Sequence, residues 1–239
     1  MCEGGPMKSI GMSKIGLVRQ RNEDRFYIGD SFCIVTDGMG GYKGGEIAST
    51  MVVDTISAEL QAADTISVDT LRQAVAKANI AVFDRVQATP ELEGMGTTAV
   101  VAYVVGTTLY WANVGDSRLY VFHEGELTQI SIDHSMVQVL YDAGELAADD
   151  MLQHPQRNVL TRAVGVGAVV DIDGGEYKLA PGDRILLCSD GLTGYIEQSM
   201  IEEAFRKEAK DKRLIEDLMT LVYNHGARDN VTIVIGTVD

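Results

Sequence analysis

The apolar run Phe32-Cys33-Ile34-Val35-Thr36 ends in Asp37-Gly38-Met39-Gly40-Gly41, and this junction limits the possible folds more than any other stretch. Unbroken apolar, β-branched residues mark a strand buried on both faces. A carboxylate at the mouth of such a strand costs desolvation energy unless a cation or hydrogen-bond donors meet it. The glycines that follow leave backbone carbonyls free to reach the same point. A hard metal ion would satisfy both.

The junction recurs. Leu109-Tyr110-Trp111-Ala112-Asn113-Val114 runs into Gly115-Asp116-Ser117-Arg118, Ile185-Leu186-Leu187-Cys188 runs into Ser189-Asp190-Gly191, and Asp229-Asn230 precedes Val231-Thr232-Ile233-Val234-Ile235. Three acids stand at strand exits and Asp229 at a strand entrance, so antiparallel pairing can gather all four at one edge. Each alone is an ordinary Asp-containing turn. Four at the same kind of boundary favour a cluster whose mutual repulsion is relieved by bound cations.

The chain's 239 residues, 46% of them hydrophobic, can bury a full core, and no linker, charge block or repeat divides it. A net charge of −15 disfavours nucleic acid and anionic membranes as partners. No apolar run reaches membrane-spanning length, and the first residues lack the pattern of an export signal, so a cytoplasmic protein is expected. Three cysteines form no disulfide framework or metal-ligand spacing. Cys33 and Cys188 are expected as buried thiols and Cys2 as an exposed tail residue.

Residues 1–8 read as a flexible tail and 9–239 as one domain. An edge strand from Ser9 and a second strand at 26–28 flank the polar cluster Arg19, Asn22, Glu23 and Asp24. That cluster is either a solvated turn or a site in which Arg19 offers a planar donor fork to phosphate while Glu23 and Asp24 order metal-bound waters. Two amphipathic helices follow, with stripes at Ala48, Val52, Ile56 and Leu60 and at Leu71, Val75, Ala78 and Val82. Strands are expected at 97–105, 108–114, 118–122 and 127–132, then a helix after Asp133-His134-Ser135 capped by Gly144. Residues 145–165 keep no period and read as a short irregular subdomain, either a lid or substrate platform near a site or a surface loop with no role; His134 and His154 read as structural. Further strands are expected at 169–173 and 176–179, flanking Gly174-Gly175, and at 185–188. Ser199-Met200-Ile201-Glu202 has the spacing of a capping box, a longer helix carries Leu214, Leu218, Leu221 and Val222, and a last strand covers 231–238. The expected fold is α+β: an α-β-β-α sandwich of two mainly antiparallel sheets flanked by helix pairs.

Carboxylate and carbonyl ligands select Mn²⁺ or Mg²⁺ over zinc. Two such ions sharing Asp37 beside the Gly38 carbonyl, with Arg19 on the phosphoryl oxygens, describe phosphomonoester hydrolysis. The series Arg19-x-x-Asn22-Glu23-Asp24, Asp37-Gly38-Met39-Gly40-Gly41, Gly96-Thr97-Thr98, Gly115-Asp116-Ser117-Arg118, Ser189-Asp190-Gly191-Leu192 and Asp229-Asn230-Val231-Thr232 resembles the ordered motifs of the metal-dependent PPM or PP2C-like serine/threonine phosphatases. Asp133-His134-Ser135 and His154-Pro155-x-Arg157-Asn158-x-Leu160-Thr161-Arg162 resemble the flap of the bacterial single-domain branch.

The resemblance implies that Asp37 bridges two metals, with the Gly38 carbonyl on one and Asp190 and Asp229 on the other. It also implies a weaker third site at Asp116 and Asp190, substrate phosphate on Arg19, and Glu23 and Asp24 acting through metal-bound waters. A metal-bridging water or hydroxide would attack phosphorus in line. The implied substrates are phosphoserine and phosphothreonine in proteins, opposing a serine/threonine kinase, and a monomer is expected. Met39 stands where eukaryotic relatives carry a His that serves as general acid, and Met has no proton to donate. The competing readings are a phosphoprotein-binding pseudophosphatase and another two-metal phosphoester hydrolase.

Overall fold

A computed structural model describes residues 7–41 and 44–238. Its strands are β1 (Lys8–Lys14), β2 (Asp24–Ile28), β3 (Phe32–Met39), β4 (Gly96–Thr97), β5 (Ala99–Val105), β6 (Thr108–Val114), β7 (Arg118–His123), β8 (Glu126–Gln129), β9 (Asp173–Lys178), β10 (Arg184–Cys188) and β11 (Val231–Thr237). The helices are α1 (Gly44–Ala62), α2 (Val68–Ala88), α3 (Met136–Asp142), α4 (Asp190–Thr193), α5 (Gln198–Lys207) and α6 (Asp211–Asn224). Among the described residues the strands form two antiparallel sheets. One runs β1-β11-β10-β7-β8 and the other β2-β3-β5-β6-β9, with β4 paired to β3.

The unbroken apolar runs follow from burial on both faces. In β3, Cys33 and Val35 pack between the sheets while Phe32 and Ile34 pack under α1 and α2. In β10, Ile185 and Leu187 point between the sheets while Leu186 and Cys188 meet the layer formed by α5 and α6. Period-two alternation therefore persists, but both sides are dry. The expected α-β-β-α sandwich is the observed fold.

Several local expectations are corrected. Met7 is buried and Lys8 already pairs with Thr237, so the ordered framework begins before Ser9; residues 1–6, including Cys2, lie outside the described residues. The two strands expected around Gly174-Gly175 are one, β9, which runs through the glycines. A Cβ at Gly174 would lie 2.7 Å from the Trp111 carbonyl oxygen, and one at Gly175 would lie 3.1 Å from the Trp111 indole nitrogen, so close approach to β6 requires the glycines. The capping box at Ser199 does not form. Helix α5 starts at Gln198 behind Glu197, and Glu202 instead accepts the Leu127 N–H at 2.8 Å. The flap contains a 3-10 segment, Ala148–Gln153, and is tied down by single bridges from Leu160 to Ser135 and from Val164 to Thr97.

Candidate active site

The site lies where β3, β6 and β10 end and β11 begins. The chain fixes Asp37 by its backbone. Thr97 Oγ1 and the Thr98 N–H donate to its carbonyl at 2.8 and 2.9 Å, and its own N–H donates to Thr98 Oγ1 at 2.9 Å. Thr98 therefore breaks the strand expected at 97–105 into β4 and β5 and serves as a clamp. Its hydroxyl also meets Ser117 Oγ at 2.7 Å, joining the Asp37 strand to the turn that carries Asp116. At Gly38 a side chain would collide with the Gly45 carbonyl at the start of α1.

Asp190 is the first residue of α4, directly after β10. Ser189 and Thr232 lock that corner: the Ser189 N–H donates to the Thr232 carbonyl at 3.1 Å, and the Thr232 N–H to Ser189 Oγ at 3.0 Å. Asn230 organises the opposite wall. Its Nδ2 donates to the carbonyls of Ile15 and Arg21 at 3.0 and 2.8 Å, and its Oδ1 accepts the Glu23 N–H at 2.8 Å. One amide side chain thus pins the loop that holds Arg19 against the strand entrance that holds Asp229. Arg19 Nη2 reaches Asp229 Oδ2 at 2.6 Å.

Asp37, Asp116, Asp190, Asp229, Glu23, Gly38 and Arg19 line one cavity of about 370 Å³. Its far wall comes from the flap, through Asn158, Leu160, Thr161, Arg162, Ala163 and Val166. Burial, reinforced by the neighbouring acids, holds the carboxyls of Asp37 and Asp116 well above the usual range. Asp190 is pushed up to about 6 by burial and by Asp229, while a hydrogen bond with Asp37 pulls the other way. Burial also raises Glu23. The Arg19 guanidinium is held above its ordinary value by its hydrogen bond to Asp229.

Asp24 sits behind the cavity. It is 1% exposed, pairs in register with Asp37, and accepts hydrogen bonds at Oδ2 from Ser189 Oγ and Thr232 Oγ1, both at 2.7 Å. Its Oδ1 has no partner among the described residues. Burial pushes its carboxyl up to about 7 against those two hydroxyls.

The donor set fits a hard divalent ion: hard oxygens, no thiolate or imidazole, and acids raised by burial and by one another. Among the described residues no three His, Cys, Asp or Glu side chains already close on a common point as a finished cage, and the Arg19 cation stands against Asp229.

Three further residues of the quoted motifs, His134, Arg162 and Arg118, tie the elements of the site together. His134 accepts the Gly115 N–H at Nδ1 (3.0 Å) and places Nε2 3.1 Å from Asp173 Oδ2. Nδ1 is then the acceptor and Nε2 carries the proton. Asp173 also holds Arg162 at 2.8 Å, joining flap, β9 and the Asp116 turn. Arg118 grips Asp133 through Nε and Nη2, the latter at 2.7 Å.

Residues 11–139 match the family described as protein phosphatase 2C. The serine/threonine phosphatase stp of Listeria monocytogenes is 32% identical over 92% of this chain and 91% of its own length. The serine/threonine protein phosphatase PstP of Mycobacterium tuberculosis is 38% identical over 97% of this chain, which spans only 45% of that protein. The crystal structure of the PstP catalytic domain in complex with two manganese ions superposes with a TM-score of 0.89 at 33% identity, covering 98% of this chain and 99% of the other. The chain belongs to the protein phosphatase 2C family. It is a protein phosphatase by fold and by motif order.

Proposed function

We propose that this chain hydrolyses phosphoserine and phosphothreonine in proteins with the help of Mn²⁺ or Mg²⁺. Two core ions would be held by Asp37, the Gly38 carbonyl, Asp190 and Asp229, and a weaker third by Asp116 and Asp190. The observation that carries this reading is the convergence of four acids from different strand ends, with Arg19, on one cavity.

When bound, divalent ions supply positive charge for the developing phosphoryl anion and make water easier to ionise near neutral pH. The chain's own residues divide the remaining work. Arg19 offers N–H groups in a plane that matches phosphoryl oxygens. Asn158, Thr161 and Arg162 present further donors from the flap wall. Glu23 has its backbone fixed by Asn230 and borders the acids, a position suited to orienting water. Asp24, buried against Ser189 and Thr232, supports that corner from behind. Met39 lines the cavity without a transferable proton, so the leaving oxygen takes its proton from elsewhere in the site.

The substrates are phosphoproteins made by serine/threonine kinases, met in the cytoplasm by a monomer. The net charge of −15 speaks against nucleic acid. Among the described residues no helix is long and apolar enough to cross a membrane. The test is Mn²⁺-dependent release of phosphate from an aryl phosphate and from phosphothreonine peptides. Turnover should vanish with chelator and return with Mn²⁺; undiminished turnover in chelator would overturn the metal mechanism.

A further inference from the structure

Beneath the flap's 3-10 segment lies a second, oppositely charged cavity of about 280 Å³. Arg157, Arg228, His225 and Tyr195 line it, and no acidic side chain does among the described residues. In a chain of net charge −15, such a local concentration of cationic groups is a feature to be explained.

The cavity neighbours the acid site. A small intermediate cavity of about 50 Å³ shares Asp116, Asn158 and Asp190 with the acid cavity, and Arg157 and Gly194 with the basic one. Arg157 is held in place: its Nη1 donates to the Gly194 carbonyl at 2.9 Å, and its guanidinium carbon lies 5.3 Å from the centre of the Tyr195 ring. The remaining guanidinium N–H groups have no protein acceptor among the described residues. His225 donates from Nδ1 to the Leu221 carbonyl at 2.8 Å, which leaves Nε2 for a ligand. Arg228 is exposed and makes no hydrogen bond or ion pair among the described residues. The backbone that carries it is fixed, because Ala227 is buried and its carbonyl accepts the Leu17 N–H at 2.7 Å. Arg228 and Asp229 are thus adjacent in sequence and line cavities of opposite sign.

We propose that this basic cavity binds a second anionic side chain of the phosphoprotein, phosphorylated or acidic, while the phosphorylated residue being hydrolysed occupies the acid site. The proposal rests on the phosphoprotein phosphatase reading. It makes the preferred substrate a segment with clustered negative charge. Planar guanidinium donors suit a phosphate or carboxylate, and binding one at a distance from the reacting phosphorus lowers KM.

The test compares a singly phosphorylated threonine peptide with a series carrying a second phosphothreonine, or a glutamate, at spacings of about one to six residues, the reach of an extended chain. At one spacing the second anion should raise kcat/KM about tenfold, chiefly through KM, as one charge-assisted contact allows. Gain with phosphate alone or with both anions supports the proposal and tells the two sources apart. In Arg228→Glu the ratio of doubly to singly anionic peptide should fall to about one, with Arg228→Gln intermediate. Equal kcat/KM across the series in the wild type overturns the proposal and leaves the phosphatase reading standing. So does an Arg228→Glu loss that is the same for every peptide. A wild type that turns over neither aryl phosphate nor peptide with Mn²⁺ overturns both.

Discussion

Asp24 and Asp37 face each other across β2 and β3, yet the molecule treats the two carboxyls in opposite ways. Asp24 meets two hydroxyls at 2.7 Å and no cavity. Asp37 lines a cavity and meets chiefly other acids. The first environment gives one carboxyl oxygen two protein donors, although burial outweighs them and still raises the group to about 7. The second leaves repulsion that only cations from outside can relieve. One niche carries protein donors, and its neighbour holds charge that the proposed ions would neutralise.

Asp190→Asn breaks this contrast most strongly. It removes a charge from the cavity and should lower Mn²⁺-dependent kcat/KM by about a thousandfold or more, the scale of losing several kcal/mol of transition-state stabilisation. In chelator the same variant should melt higher than the wild type, because a source of repulsion is gone. A variant that is both active and no more stable would refute the contrast.

Arg19→Ala sharpens it. The cation that meets Asp229 at 2.6 Å is also the proposed phosphate ligand. Its loss should raise KM about tenfold, the worth of one charged hydrogen bond, with a smaller change in kcat. An unchanged KM for an aryl phosphate would remove Arg19 from substrate binding.

Asp24→Asn acts on stability rather than turnover, and its effect is read as a slope. A folded-state pKa raised to about 7 means that the folded chain binds this proton more tightly than the unfolded chain does. The resulting stability is complete below the ordinary carboxyl range and is lost as pH rises through about 7. Asn, neutral throughout, should flatten this decline. The gap between wild type and variant in urea unfolding, measured in chelator, should shift on the order of a few kcal/mol in the variant's favour between pH 5 and pH 8. Parallel profiles would show that Asp24 does not titrate in this range.

The sandwich was legible because its signals are local. Apolar runs, period-3.6 stripes and glycine turns each occupy a few adjacent residues, and the acids were conspicuous because each abuts a strand. Misreadings arose where a distant partner decides. The glycine pair in β9 looked like a break until Trp111 was set against it. Ser199 looked like a cap while Glu202 was committed to Leu127. Asn230 grips carbonyls at Ile15 and Arg21, and Asp24 meets Ser189 and Thr232; separations of 165 to 215 residues leave no trace in a short window. The same holds for His134 against Gly115 and for the basic cavity, whose members come from the flap, the turn after α4, the residue that ends α6 and the turn before β11.

The Asn230 amide has a consequence for biosynthesis. Because it anchors the Arg19 loop across 209 to 215 residues, and β1 finds its only sheet neighbour among the described residues in β11, β1 and the Arg19 loop wait for β11 to be made. A fragment ending before Asp229 would keep Asp37, Asp116 and Asp190 but have an unanchored arginine loop, so dephosphorylation should begin only once β11 has been made and has paired.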